Sequence, residues 1–123
     1  MKRILVVDDD KPILELLRFE LASRHFDVLT AQNESEFRKL AGGSPDLIIL
    51  DIWLGNTNGV FIYNDLLSQG LLDGRVPVIF ITALMQDKPP VHAQDGRTYA
   101  FFCKPFDTDE IVEEIHHLFD FPM

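Results

Sequence analysis

The sequence predicts a doubly wound α/β fold, a five-stranded parallel sheet in the order 2-1-3-4-5 with helices on both faces. Two observations predict it. Strand-length apolar runs alternate with stretches of helical period along the whole chain. Three of the runs, at 4–7, 47–50 and 76–81, are apolar throughout, as strands covered on both faces are, while those at 27–31 and 99–103 are mixed. Putting the wholly apolar runs inside, with right-handed crossovers, leaves the second and fifth strands at the edges.

Each element has its own local signal. The run at 4–7 stops at Asp8, Asp9 and Asp10. Residues 11–24 then carry Ile13, Leu14, Leu17 and Leu21 at helical spacing, and Pro12 falls in the first turn, where a missing N–H costs nothing. After the half-buried strand at 27–31, Asn33 and Glu36 form a capping-box pattern for a helix that ends at Gly42 and Gly43. The run at 47–50 ends in Asp51 and a loop rich in Gly and Asn. Val60, Ile62, Tyr63, Leu66 and Leu67 give a third helix ending near Gly70. The run at 76–81 ends in Thr82. The mixed strand at 99–103 stops at Lys104-Pro105, and Asp107 with Glu110 caps a last helix whose apolar face is Ile111, Ile115 and Leu118.

Residues 83–98 are harder to read, because Pro89-Pro90 and Gly96 interrupt helical period. Any helix there starts at the prolines and has only about two turns left to it, so residues 84–96 are expected to be short, irregular or mobile.

The 123 residues bound the chain to one domain, expected over 1–123 with no effector domain. Eleven Lys and Arg against 20 Asp and Glu give a net charge of −9, which argues against direct nucleic-acid binding. No apolar run is long enough to cross a membrane or to serve as a signal peptide, so a cytoplasmic location is expected. The single cysteine, Cys103, permits no internal disulfide and is expected to be a buried structural thiol.

The predicted strand order brings Asp8, Asp9 and Asp51 to one switch-point crevice at the carboxyl ends of the strands. A lone Asp51 could simply begin a turn, but three acids together repel, each close pair by about 4 kcal/mol at an effective dielectric of 20. They call for a cation. Oxygen ligands without His or Cys in an open site favour Mg²⁺. Thr82 and Lys104 end the strands on the other side of Asp51 and add a hydroxyl and a fixed positive charge. An acid nucleophile, a divalent ion, a hydroxyl and a lysine together make a phosphoryl-transfer site.

The chain resembles the receiver domain of two-component response regulators over essentially its whole length. The resemblance rests on Val7-Asp8-Asp9, on Asp51 with Gly59 eight residues on, on Thr82-Ala83, and on Lys104-Pro105-Phe106. It implies that Asp51 accepts a phosphoryl group from a histidine kinase or phosphotransfer protein. It implies that Asp8, Asp9, Asp51 and the Trp53 carbonyl hold Mg²⁺, and that Thr82, Lys104 and the Ala83 amide grip the phosphoryl oxygens. Thr82 and Phe101 would form the switch that alters binding of a separate downstream partner, or pairing of two copies. Such a chain is not an enzyme beyond its own phosphorylation and dephosphorylation. Trp53 and Leu84 would flank the path of hydrolytic water and slow dephosphorylation.

Two departures stand out: Gly55 lies where the family often has Pro, which bears on the stiffness of the loop, and Gly96-Arg97-Thr98 replaces the usual Gly-Ala pair. The alternative from another class is an interaction module, independent of phosphorylation, with a vestigial acid pocket. An aspartyl phosphatase of the haloacid dehalogenase type would need a second Asp at position 53, where Trp53 stands. A flavin binder would share only the fold, and no Ser/Thr/Gly-rich phosphate loop follows the first strand.

Overall fold

The computed structural model describes residues 1–83 and 99–120. Its elements are β1 (Arg3–Val7), α1 (Lys11–Ala22), β2 (Asp27–Ala31), α2 (Glu34–Ala41), β3 (Leu47–Asp51), β4 (Trp53–Leu54), β5 (Thr57–Asn58), α3 (Gly59–Ser68), β6 (Val78–Thr82), β7 (Tyr99–Cys103) and α4 (Thr108–Asp120). Five strands form one sheet in the order β2-β1-β3-β6-β7, with every pairing parallel. Since β4 and β5 form a separate two-stranded hairpin, this is the 2-1-3-4-5 order that the apolar runs predict. The mixed strands β2 and β7 are the edges.

The uniform apolarity of the inner strands has a simple cause. Successive side chains point to opposite faces, and both faces are covered. Leu5, Val7, Ile48, Leu50, Val78 and Phe80 pack with Phe37, Ala41, Ile62, Tyr63 and Leu66 of α2 and α3. Ile4, Val6, Leu47, Ile49, Ile79 and Ile81 pack with Leu14, Leu17, Leu21, Ile111, Ile115 and Leu118 of α1 and α4. Every residue of β3 and β6 is buried.

Helix boundaries follow from their caps. Asp10 is the N-cap of α1, and proline occupies its first turn. The helix stops at Ala22, short of the expected Arg24, because His25 takes φ of 70°, a left-handed conformation that ends helices. Arg24 turns aside to pair with Glu20 and with Asp109, which ties the end of α1 to the first turn of α4. The capping box of α2 forms, with Asn33 Oδ1 accepting from Glu36 N–H at 2.9 Å; the Glu36 carboxylate reaches one residue further back, to Gln32 N–H at 2.7 Å. At α4, Asp107 Oδ1 accepts from Asp109 N–H at 2.8 Å. β6 begins at Val78, two residues later than expected, because Val76 N–H closes a turn onto Asp73 O and Pro77 has no N–H to offer a ladder.

The β4–β5 hairpin is absent from the sequence expectation, which treats 52–58 as loop. The expected irregular segment at 84–96, and with it Leu84 as an expected flank of the water path, falls outside the described residues.

Candidate functional site

The carboxyl ends of β1, β3, β6 and β7 place Asp8, Asp51, Thr82 and Lys104 on one edge of the sheet. Asp8 follows β1, Asp51 is the last residue of β3, Thr82 is the last of β6, and Lys104 follows β7. β1 and β3 are paired neighbours, so Asp8 and Asp51 stand side by side one residue beyond the Val7–Leu50 pair. One carboxylate oxygen from each of Asp8, Asp9 and Asp51 lies within 4.8 Å of the others. Asp10 is outside this group and serves as a helix cap.

Burial and charge set the chemistry of the group. Asp8 is fully buried, Asp51 is 5% exposed, and Asp9 is exposed. Lys104 Nζ lies 2.9 Å from Asp8 Oδ2 and 2.9 Å from Asp51 Oδ2, a single ammonium spanning two carboxylates. Burial pulls the Lys104 ammonium downward, but its contacts with Asp51 and Asp8 outweigh this and leave its pKa raised. Burial also drives the Asp8 carboxyl up to about 7, helped by the Asp51 charge and restrained by Asp10 N–H and by Lys104. The neutral form of Asp8 is thus favoured over that of an ordinary carboxyl group.

The remaining carboxylate oxygens are held by backbone. Asp10 N–H donates to Asp8 Oδ1 at 2.9 Å, Trp53 N–H to Asp51 Oδ1 at 3.1 Å, and Gly55 N–H to Asp9 Oδ2 at 3.0 Å. Asp8 Oδ2 is different: it faces Lys104 without hydrogen-bond alignment and has no other partner. A fully buried carboxylate oxygen with an uncommitted lone pair, in a cluster of oxygen donors, fits a hard cation.

Thr82 is buried, and its carbonyl accepts from Lys104 N–H at 2.8 Å, which fixes where the lysine leaves β7. Ala83 follows it and is exposed. Phe101 is 42% exposed and stacks on the buried Phe80 at 5.4 Å between centroids, while Phe80 meets Tyr63 edge-on at 6.0 Å. Phe101 lies two residues before Cys103, the register partner of Thr82, so the two proposed switch residues share a sheet face. Cys103 is half-buried, more accessible than the sequence implies. The Lys104–Pro105 peptide bond is cis. Trp53 is 41% exposed at the rim.

Two glycines shape the site in ways that the sequence reading does not identify. Gly59 N–H donates to Ile52 O at 2.5 Å, and a Cβ on Gly59 would come within 2.4 Å of the Asp51 carbonyl oxygen. Its spacing from Asp51 was the available signal. Gly55 touches Asp9 through its N–H, so it does more than set loop stiffness; nothing in the residues alone points to that contact. A cavity of about 660 Å³, lined by Ala41, Pro45, Leu72, Asp73 and Val76 among others, lies at the opposite end of the strands and contains none of these groups.

Comparison with known proteins agrees with this geometry. A family model described as the response regulator receiver domain matches residues 4–116. The alkaline phosphatase synthesis transcriptional regulatory protein PhoP of Bacillus subtilis is 32% identical over 111 residues, covering 89% of this chain and 45% of that protein. The transcriptional regulatory protein KdpE of Mycobacterium tuberculosis is 33% identical over 116 residues, covering 94% and 50%. The chain thus spans about half the length of these curated relatives. Among solved structures, the response regulator TrrA of Thermotoga maritima in complex with Mg²⁺-BeF superposes with a TM-score of 0.78 at 32% identity, covering 96% of this chain and 99% of that one. A CheY-like receiver domain protein from Methanospirillum hungatei gives 0.83 at 25% identity, covering 98% and 94%.

Proposed function

This chain belongs to the response regulator receiver domain family, and on that premise we propose that Asp51 accepts a phosphoryl group from the phosphohistidine of a histidine kinase or phosphotransfer protein. The observation that carries this reading is the clustering of Asp8, Asp9 and Asp51 within 4.8 Å, with Lys104 Nζ at 2.9 Å from Asp51 Oδ2. An Asp51 oxygen attacks phosphorus, the phosphorus–nitrogen bond breaks, and the imidazole leaves as the neutral ring after taking up a proton. Hydrolysis reverses the modification: water attacks phosphorus, the acyl phosphate bond breaks, and inorganic phosphate leaves with the Asp51 carboxylate restored.

Asp8, Asp9, Asp51 and the Trp53 carbonyl are the groups that would hold Mg²⁺. When bound, the ion supplies positive charge to the phosphoryl oxygens during transfer. Asp51 is the nucleophile, held by Trp53 N–H on one oxygen and by Lys104 on the other. Lys104 then moves its charge from the carboxylate to a phosphoryl oxygen, joined by the Thr82 hydroxyl and the Ala83 amide. Movement of Thr82 toward that oxygen vacates space into which Phe101 turns, and a downstream protein partner or a second copy reads the altered face.

The experiment is intact mass after incubation with a small phosphodonor. One phosphoryl group is expected on the parent with MgCl₂ present, none with chelator, and none on Asp51→Asn. Equal uptake by Asp51→Asn would assign the modification elsewhere, and no uptake by the parent would favour a module with a vestigial pocket.

A further inference from the structure

The β4–β5 hairpin is fastened to the crevice at two points, Trp53 N–H on Asp51 Oδ1 and Gly55 N–H on Asp9 Oδ2. Within the hairpin Trp53 pairs with Asn58 and Leu54 with Thr57, leaving Gly55 and Asn56 as the two turn residues. Gly55 has φ of 60° and Asn56 is not in the positive region. That sign pattern belongs to a type II′ turn, which takes Gly at its first central position. The N–H of that residue lies outside the hairpin's own ladder and is available to an outside acceptor. Here the acceptor is a carboxylate of the cation cluster.

Lack of room does not explain the glycine. A Cβ on Gly55 would meet no heavy atom within 4 Å. The requirement lies in the backbone: a positive φ, and an N–H aimed at Asp9. Proline would supply neither, since its ring fixes φ near −65° and removes the donor.

We propose that Gly55 is a positioning residue for the cation site, its N–H holding the carboxylate of the exposed Asp9 in place beside Asp8 and Asp51. Asp9 has no burial to fix its rotamer, unlike Asp8 and Asp51, and the hairpin supplies that constraint. Partners of this kind that orient a ligand change metal affinity by about 10- to 100-fold. The inference rests on the reading that the crevice holds Mg²⁺.

Isothermal titration of MgCl₂ into the unphosphorylated chain tests it with Gly55→Pro, Gly55→Ala, Asp9→Ala and the double variant Asp9→Ala/Gly55→Pro. Gly55→Pro is expected to weaken affinity about tenfold, the lower end of that range. Gly55→Ala, which keeps the donor on a strained backbone, should weaken it by a smaller factor. Adding Gly55→Pro to Asp9→Ala should change nothing further, because the N–H acts through that carboxylate. A parent that takes up no Mg²⁺ would remove the metal reading and this inference with it. A parent that binds, with Gly55→Pro binding equally well or weakening Asp9→Ala by the same factor, overturns the inference alone. Thermal melts without metal identify any variant that fails to fold; if Gly55→Pro does, Gly55→Ala alone and combined with Asp9→Ala carries the same comparison.

Discussion

Asp8 is the residue at which burial and charge are most opposed. Its folded pKa of about 7 lies above the ordinary 3.8, so the folded chain binds this proton more tightly than the unfolded chain does. The stability that it contributes without metal is therefore present at acidic pH and lost as pH rises from 3.8 toward 7. Metal binding has the opposite sense, since a cation must displace that proton. Mg²⁺ affinity should fall by up to about tenfold per pH unit below 7, and Asp8→Asn should remove most of that slope along with most of the affinity. Calorimetric titrations at pH 6 and pH 8 check it; equal affinity at both would mean that Asp8 is already ionised. Trp53 gives a second prediction at this scale. Its indole stands at the rim two residues beyond Asp51, where a bulky apolar group limits water at an acyl phosphate. Trp53→Ala should raise the rate of phosphate release several-fold, measured by the decay of phosphorylated mass after removal of the donor.

At the scale of elements, the crevice depends on how α3 starts. Asn58 Oδ1 caps the helix by accepting from Val60 N–H at 2.8 Å, and Gly59 beside it presses against the backbone of β3. An added methyl group must displace the Asp51 carbonyl, because the atom it meets at 2.4 Å is backbone and not the end of a flexible side chain. Gly59→Ala should therefore cost about 1–3 kcal/mol of stability and weaken phosphorylation as well, since the same shift moves Asp51. Denaturant unfolding together with the mass assay separates the two effects. Loss of stability with normal phosphorylation would show that the strain relaxes into α3 instead. The hairpin that precedes this helix was not legible in the sequence. Trp53, Leu54, Thr57 and Asn58 are too few to express the alternation that marks a strand, and the two attachments to Asp51 and Asp9 use backbone N–H groups, which carry no side-chain signature.

Across the whole molecule, the strand order was legible because β1, β3 and β6 are buried on both faces and their residues have no polar alternative. The carboxylate cluster was legible for a related reason, since acids directly after such strands have no other place than the carboxyl edge. Boundaries set by single conformations were not: the end of α1 turns on the φ of His25, and the start of β6 on a turn closed by Asp73. The bridging position of Lys104 was foreseen only as a strand-end lysine, and its contact with two acids at once is a property of the folded edge.

That bridge has a consequence in the charge the crevice presents to its surroundings. With all three acids ionised, three carboxylates and one ammonium leave two net negative charges, which one divalent ion cancels. Phosphorylation then exchanges the single charge of Asp51 for about two on the phosphoryl group, so the loaded crevice changes by about one unit. Beyond a Debye length of about 8 Å in physiological salt, so small a change is largely screened. A partner docking on the far side of β7 would receive almost none of it as an electric field, and must tell the two states apart by shape.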